Sequence, residues 1–205
     1  MLDRAALKLV KPLSEKAAVF LCKRGVTADQ ATLAGFGFGI IAALMIAAGF
    51  TGLAILPLLI NRALDGVDGA LARLSRATER GAFLDIALDF VFYAAIPLAF
   101  AALDPQANAL AAAALLAAFL ATGTSFLAFA VMAEKRGLKS TAYPSKSFYY
   151  LGGLTEGTET ILCFLAMCLW PGSFPEIACF YAALCALTAA TRLYAGWKMF
   201  GSTAP

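Results

Sequence analysis

Four aspartates interrupt two otherwise apolar stretches of the chain. Asp65 and Asp68 are spaced i,i+3, and Asp85 and Asp89 are spaced i,i+4. On α-helices each pair shares one face, and the short connection between the stretches makes the helices antiparallel neighbours, so that the two faces can converge. The chain contains no histidine, which excludes His-based zinc sites and Ser-His-Asp triads. A site built from carboxylates alone selects hard cations such as Mg²⁺, Mn²⁺ or Ca²⁺.

The energetic cost of these aspartates demands compensation. One aspartate at the centre of a membrane-spanning helix costs about 2.5–3.5 kcal/mol, so four cost roughly 10–14 kcal/mol as an upper estimate. A functional interpretation supplies two divalent cations, which cancel four negative charges and clamp phosphate oxygens in an in-line displacement. Carboxylates inside a membrane mark functional sites by default. A structural interpretation pairs the aspartates with nearby arginines, namely Arg62, Arg73, Arg76 and Arg80.

Small residues accompany the aspartates. Gly69 and Ala72 fall on the face of the first pair, and Gly81 precedes the second pair by one turn. Small side chains let a bulky ligand reach the backbone, and the donor fork of Arg73 suits a phosphate oxygen or a base edge. The residues therefore predict a di-metal site for a phosphorylated ligand.

The elements that position these residues are predicted to be membrane helices. The chain is 61% hydrophobic and 14% charged, whereas an average soluble domain is about 25% charged. Six apolar stretches reach the roughly 20 residues that a spanning helix needs. They cover 31–50, 52–73, 82–103, 108–133, 147–170 and 174–199. We predict an all-α polytopic membrane protein with a single domain over 1–205 and a six-helix bundle over 31–200.

The N-terminal segment and the distribution of charge predict the orientation. Residues 2–24 alternate apolar and basic side chains, which favours an amphipathic interfacial helix over 1–24 that contacts anionic membrane lipids. Lys and Arg are concentrated in the predicted inner segments 1–30, 74–81 and 134–146, and the C-terminal tail is also predicted to lie inside. By the positive-inside rule both termini and the active site face the cytoplasm, and we expect a bacterial inner membrane protein.

The segment 65–89 resembles the signature of the CDP-alcohol phosphotransferase (CDP-alcohol phosphatidyltransferase) family. That signature is Asp, two residues, Asp-Gly, two residues, Ala-Arg, a spacer, Gly, three residues, Asp, three residues, Asp. All eight fixed positions are present, and the spacer over 74–80 is one residue shorter than usual. The matching residues are Asp65, Asp68, Gly69, Ala72, Arg73, Gly81, Asp85 and Asp89. Residues 83–90 and 146–160 further resemble a bacterial branch of the family.

The resemblance implies roles for the matching positions. Asp65, Asp68 and Asp85 would hold one metal, and Asp65, Asp85 and Asp89 would hold the second. Asp89 would also accept the proton of the attacking hydroxyl. The metals would be two Mg²⁺ or Mn²⁺ ions, with Ca²⁺ as an inhibitory substitute. The CDP part would contact residues of the signature, of the loop and of the segment before the first span, namely Gly69, Ala72, Arg73, Thr78, Gly81, Asp29, Gln30, Ala31 and Thr32. The alternative for the last segment is a helix N-cap at Thr27 or Asp29.

The reaction that the resemblance implies is transfer of a phosphatidyl group from CDP-diacylglycerol to an acceptor alcohol, with release of CMP in phospholipid biosynthesis. A soluble CDP-alcohol that donates its headgroup to a lipid alcohol is an alternative. A transporter or metal-binding membrane protein is another. Nucleic acid is not an expected partner, and a homodimer is expected. The small-residue pair Gly35 and Gly39 indicates close helix packing, within the bundle or between subunits.

The acceptor is not identified by the sequence. Glu156 and Glu159 are predicted to lie inside the fifth helix, where they could bind hydroxyl groups or an amine of the acceptor, or pair with Lys146 or Arg192. Lys135 and Lys146 belong to a basic loop that could recruit a phosphorylated acceptor or simply set the topology.

Overall fold

The computed structural model describes residues 3–75, 77–137 and 153–201, with side chains from residue 11 onward. Over these residues the chain forms seven α-helices and one short 3₁₀ turn at Pro171–Ser173, and no strand. The helices are α1 (Asp3–Cys22), α2 (Ala28–Ala47), α3 (Thr51–Leu74), α4 (Glu79–Leu103), α5 (Pro105–Lys135), α6 (Gly157–Leu169) and α7 (Phe174–Gly201). The predicted all-α fold is confirmed.

Four helical stretches are long and apolar enough to cross a membrane. They are α2, α4, α5 and the stretch that runs from Pro171 through α7. Helix α3 has 24 residues, but it carries the first aspartate pair and two arginines between Arg62 and Arg73. Helix α6 is apolar and has 13 residues. The membrane helices agree with the prediction, whereas the count of six spans stays a prediction.

The prediction of a continuous helix over 147–170 is wrong for the first residues of this stretch that the structure describes. Residues 153–156 are not helical, and α6 begins only at Gly157. Glu156 is the N-cap residue of α6, with an extended backbone at φ −106° and ψ −174°. Its carboxylate Oε1 accepts a hydrogen bond from the backbone N–H of Gly153 at 3.2 Å. Glycine and threonine are poor helix formers, which explains why the apolar pattern overestimates this helix.

The main core lies between α2, α3, α4, α5, α6 and α7. Phe100 of α4 stacks on Phe174 of α7 with ring centroids 4.5 Å apart, and Phe164 of α6 meets Phe92 edge to face at 6.1 Å. Aromatic pairs of this kind add stability beyond the area that they bury. Large apolar side chains outside the core remain exposed, among them Leu44 of α2 and Leu110 of α5, as expected of surfaces that face lipid.

Two glycines let α2 approach its neighbours closely. A Cβ atom at Gly35 would lie 3.2 Å from Cβ of Leu64, and one at Gly39 would lie 2.6 Å from Cδ2 of Phe92. The small-residue pair therefore packs within the bundle, against α3 and α4. This close approach brings the start of α2 beside the aspartates of α3.

Helix α1 packs on α3 through small residues. Ser14 and Ala18 are buried, and a Cβ atom at Gly66 would lie 3.1 Å from Oγ of Ser14. The other faces of α1 expose Lys16 and Phe20. Mixed basic and apolar exposure is typical of an interfacial helix, and its place on a membrane surface stays a prediction.

Candidate functional site

The two aspartate pairs meet at the end of the bundle where α3 stops and α4 starts. The connection is short because Ser75 ends α3 and Thr78 is the N-cap residue of α4. The hydroxyl oxygen of Thr78 accepts a hydrogen bond from the N–H of Gly81 at 3.0 Å, which satisfies one of the free N–H groups of the first turn. The cap fixes where α4 begins and therefore where its aspartates lie.

Three of the four aspartates form one cluster. A carboxylate oxygen from each of Asp65, Asp68 and Asp85 lies within 4.8 Å of the other two. Two oxygens on opposite sides of an Mg²⁺ ion are about 4 Å apart, because each Mg²⁺–O distance is near 2.0–2.1 Å. Adjacent oxygens of an octahedral Mg²⁺ site are about 3 Å apart, so side-chain movements of up to about 2 Å would let the three oxygens share one ion of this size. The donors are all oxygen, as hard divalent cations require, so the residues fit the predicted kind of metal.

Asp89 lies in the same cavity but makes a different contact. Its Oδ1 accepts a hydrogen bond from Nη2 of Arg62 at 2.8 Å, and Nη1 of Arg62 lies 3.8 Å from Oδ2 of Asp65. The guanidinium thus bridges the first aspartate of α3 and the last aspartate of α4. The predicted pairing of the aspartates with arginine therefore holds for Arg62, which contacts Asp65 and Asp89. Asp65 also belongs to the cluster with Asp68 and Asp85.

The start of α2 contributes to the site. Oγ1 of Thr32 donates a hydrogen bond to Oδ2 of Asp68 at 2.6 Å, a charge-assisted bond of the strong class. Asp29 accepts a hydrogen bond from Nε of Arg80 at 2.8 Å. The two middle residues of the predicted segment have structural roles, because the side chain of Gln30 accepts from the N–H of Thr27 at 3.0 Å and Ala31 is buried.

Thr27 is the N-cap residue of α2, and together with Gln30 it forms a capping box. The predicted alternative of an N-cap is therefore confirmed for Thr27, while Asp29 lies inside the first turn. An acidic residue in the first turn also suits the positive end of the helix dipole. The cap orients the turn that carries Asp29 and Thr32 toward α3 and α4.

The two signature glycines have different surroundings. A Cβ atom at Gly81 would lie 3.0 Å from Oδ1 of Asp29 and 3.1 Å from Oγ1 of Thr78, so packing alone explains a glycine there. A Cβ atom at Gly69 would meet only Nη1 of Arg73, at 3.5 Å. Packing within the described residues does not require glycine at position 69, which leaves room for a ligand as the reason for it.

One cavity contains the whole arrangement. Its walls come from α2, α3 and α4. The lining combines carboxylates with the apolar rings of Phe36 and Phe92. The lining residues are Thr32, Gly35, Phe36, Asn61, Arg62, Asp65, Asp68, Asp85, Leu88, Asp89 and Phe92.

Sequence reasoning missed Asn61 as a member of this site. Its Nδ2 donates to the backbone carbonyl of Gly35 at 2.8 Å, and its Oδ1 accepts from Nε of Arg62 at 2.7 Å. The signal was available, because a polar residue four positions before Asp65 shares the face of that aspartate on a helix.

The remaining predicted residues lie around or away from this cavity. Arg73 is exposed in the last turn of α3, and Ala72 is half-buried beside it. Lys135 is exposed at the end of α5, and Lys146 and Arg76 lie outside the described residues. Glu156 and Glu159 lie at the start of α6 and are not among the residues that line the cavity.

A second polar group surrounds the start of α6. Oγ1 of Thr155 donates to Oγ1 of Thr188 at 3.0 Å, and the hydroxyls of Thr160 and Tyr181 are 2.8 Å apart. Arg192 is buried in α7 and donates from Nη1 to the carbonyl of Thr122 at 3.2 Å. This group links α5, α6 and α7 through polar contacts inside an apolar bundle.

Comparison with known proteins places the chain in a family. The model of the CDP-alcohol phosphatidyltransferase family matches residues 26–189. Inner membrane protein YnjF of Escherichia coli (strain K12) is 49% identical over 197 residues, which cover 96% of this chain and 96% of YnjF.

Two solved structures share the fold. Phosphatidylinositol phosphate synthase (PgsA1) of Mycobacterium tuberculosis with CDP-DAG bound has a TM-score of 0.71 at 21% identity, over 91% of this chain and 94% of PgsA1. PgsA1 in complex with manganese and citrate has a TM-score of 0.69 at 22% identity, over 90% of this chain and 88% of that one. Because the family model spans most of the sequence and YnjF matches along nearly its whole length, the chain belongs to the CDP-alcohol phosphatidyltransferase family and is a phosphotransferase enzyme.

Proposed function

We propose that this enzyme transfers a phosphatidyl group from CDP-diacylglycerol to an acceptor alcohol and releases CMP. The observation that carries the proposal is a single cavity lined by Asp65, Asp68, Asp85 and Asp89, with three of the carboxylates close enough to share a divalent cation. Supporting it, PgsA1, whose fold is similar, has been solved with CDP-DAG bound and with manganese bound.

The four aspartates would have different roles in metal binding and proton transfer. Asp65, Asp68 and Asp85 would hold one Mg²⁺ or Mn²⁺ ion, and Asp65 and Asp85 would share a second with Asp89. Such ions neutralise charge on the phosphate oxygens and orient an in-line displacement. Asp89 would accept the proton of the attacking hydroxyl. A carboxylate is a weak base for the proton of an alcohol, so most of the rate must come from positioning and electrostatic stabilisation.

The nucleotide would lie over the ends of α2, α3 and α4. The open space above Gly69 admits the donor close to the backbone, and Arg73, whose Nη1 lies next to that space, would contact a phosphate oxygen. Asp29 and Thr32 would line the other side, since they already face Arg80 and Asp68 respectively. Ala72, Gly81 and the cap at Thr78 would shape the entrance rather than bind through polar atoms.

The protein is an integral membrane protein, and we place the active site on the cytoplasmic side. Described contacts join the starts of α2 and α4 and the ends of α5 and α7, where Arg136 donates to the carbonyl of Met199 at 2.9 Å. The exposed basic residues of the described loops lie at this end, whereas the opposite turns at 48–50, 104 and 170–173 contain no Lys or Arg. The positive-inside rule therefore supports this orientation.

The site that binds the acceptor alcohol is a separate part of the proposal. The polar group at the start of α6 includes the buried carboxylate of Glu156, and a buried carboxylate in a membrane bundle is a functional candidate. We propose that Glu156 and Glu159 contribute to acceptor binding, with the basic residues of the α5–α6 connection recruiting the acceptor. The hydrogen bond from Gly153 to Glu156 shows one structural use of this carboxylate, so the role needs a direct test.

The test is a reconstituted reaction. Purified protein in liposomes receives CDP-diacylglycerol, Mn²⁺ and a panel of acceptor alcohols; CMP is quantified and the lipid products are identified by mass. We expect CMP release that requires the metal and a matching phospholipid product. Asp89→Asn should abolish both, whereas Glu176→Gln, which neutralises an exposed carboxylate at the opposite end in α7, should leave them unchanged.

Two other outcomes would change the proposal. Product formation only from a soluble CDP-alcohol and diacylglycerol would replace phosphatidyl transfer by headgroup transfer. A raised KM for the acceptor in Glu156→Gln, with an unchanged KM for the donor, would support the acceptor role, and an unchanged acceptor KM in a stable variant would remove it.

A further inference from the structure

Arg62 is the one cation on α3 whose described contacts reach both aspartate pairs. Its Nη2 donates to Oδ1 of Asp89 at 2.8 Å, and its Nη1 lies 3.8 Å from Oδ2 of Asp65. These two aspartates are the first and last of the signature.

The guanidinium is held in place from several directions. Nε donates to Oδ1 of Asn61 at 2.7 Å, and Asn61 is itself tied to the carbonyl of Gly35 at 2.8 Å. On the other side the guanidinium carbon lies 4.8 Å from the ring centroid of Phe92, which is fully buried, and Nη1 donates to the hydroxyl of Tyr93 at 3.3 Å. These contacts fix the guanidinium of Arg62 in the wall of the cavity.

The position of Arg62 has a consequence for metal binding. Asp65, Asp68 and Asp85 are close enough to accept a cation together, whereas Oδ1 of Asp89 already has a positive partner in Arg62. A divalent cation that binds Oδ1 of Asp89 must displace this partner, and one that binds the other oxygen of Asp89 must tolerate the positive charge nearby. Arg62 also lies near the ligands of the first ion through Asp65, but that 3.8 Å contact is longer than a hydrogen bond and opposes the first ion less.

We propose that Arg62 makes metal loading sequential: one divalent cation binds to the three clustered aspartates of the free enzyme, and the second binds only when a nucleotide pyrophosphate is present. The inference rests on the proposed function. Phosphate oxygens would supply ligands and negative charge that Asp89 alone cannot offer while it pairs with Arg62. Arg62 is thus a positioning residue that keeps Asp89 paired until the donor binds.

The size of the effect follows from the contact that must break. A hydrogen bond to a charged group contributes about 1.5–3 kcal/mol, and each 1.4 kcal/mol corresponds to about a tenfold change in affinity. Removing Arg62 should therefore strengthen the second metal site of the nucleotide-free enzyme by about 10- to 150-fold.

The experiment counts Mn²⁺ ions without turnover. Free Mn²⁺ is titrated by electron paramagnetic resonance against the detergent-purified full chain, alone and with CDP, for wild type, Arg62→Gln and Arg24→Gln. Arg24 is exposed and its guanidinium lies over Phe20, so its replacement removes the same charge far from the cavity. We expect one tight ion in wild type and Arg24→Gln, two when CDP is added, and two in Arg62→Gln without CDP.

Each result decides the proposal. Two tight ions in nucleotide-free wild type, or a single ion in Arg62→Gln that still retains its first site, would overturn it. The retained first site reports that the variant is folded; if Arg62→Gln does not fold, the CDP dependence of the wild-type count decides the matter alone. If the Mn²⁺ counts are as expected but the reconstituted reaction shows no phosphatidyl transfer, the proposed function is wrong and sequential metal loading still stands.

Discussion

Gly39 is the residue where a single added methyl group should reveal how tightly the cavity wall is built. A Cβ atom at this position would lie 2.6 Å from Cδ2 of Phe92 and 3.1 Å from Nδ2 of Asn61. Carbon atoms in contact prefer about 3.5–4.0 Å, so the Phe92 contact would be about 1 Å too short. Phe92 is fully buried in the main core and cannot swing into empty space. The replacement Gly39→Ala must therefore push α2 away from α4 or move Phe92.

A matched variant separates the destabilisation caused by the clash from the effect of helix propensity. Gly37 lies two residues earlier in the same helix, and a Cβ atom there would meet nothing within 4 Å. Both replacements gain the same propensity, about 0.8–1.0 kcal/mol, so the difference between them isolates the clash. Overpacking a well-filled core costs about 1–3 kcal/mol, which for a chain of this size corresponds to about 2–4 °C in Tm for each kcal/mol.

The assay is thermal unfolding of both variants in the same detergent, read from a thiol-reactive dye or from tryptophan fluorescence. We expect Gly37→Ala to unfold at or above the wild-type temperature and Gly39→Ala to unfold below it. Because Asn61 and Phe92 also flank Arg62, Gly39→Ala should in addition disturb the Mn²⁺ stoichiometry. Equal unfolding temperatures for the two alanine variants would refute the packing of α2 against Phe92.

Three further predictions address the site and its orientation. Thr32→Val removes the 2.6 Å hydrogen bond to Asp68, and loss of such a partner should weaken Mn²⁺ binding by about 10- to 100-fold; an unchanged dissociation constant would count against the metal role of Asp68. Gly69→Ala should fold normally, because its Cβ meets only Arg73 at 3.5 Å, yet it should raise the KM for CDP-diacylglycerol roughly tenfold, equivalent to about 1.4 kcal/mol; a normal KM would mean that the donor does not approach this residue. In variants with a single cysteine, an impermeant maleimide should label the exposed Cys22 only from the cytoplasmic face and the variant Gly172→Cys, in the exposed turn at the opposite end, only from the other face, and the reverse pattern would invert the proposed orientation.

The sequence alone predicted the helical class and the chemistry of the site. The reason is that these properties are local: a spacing of three or four residues places two side chains on one helical face, and long apolar runs satisfy their backbone hydrogen bonds as helices. The convergence of Asp65, Asp68 and Asp85 also followed, because a short connection leaves two helices little choice but to pack side by side. The small-residue pair on α2 predicted close packing for the same local reason.

Tertiary structure decided which partner each polar group meets. Arg62 and Asp89 are 27 residues apart in the chain, and Thr32 and Asp68 are 36 apart; both contacts depend on how α2, α3 and α4 pack, which hydrophobic periodicity does not specify. The same holds for Glu156, which the apolar pattern placed inside a helix and which the fold places at the N-cap of α6, where its carboxylate accepts from Gly153. A pattern of residue types determines which chemistry a chain can perform, whereas the packing of helices determines which charges are neutralised within the protein and which remain for its ligands.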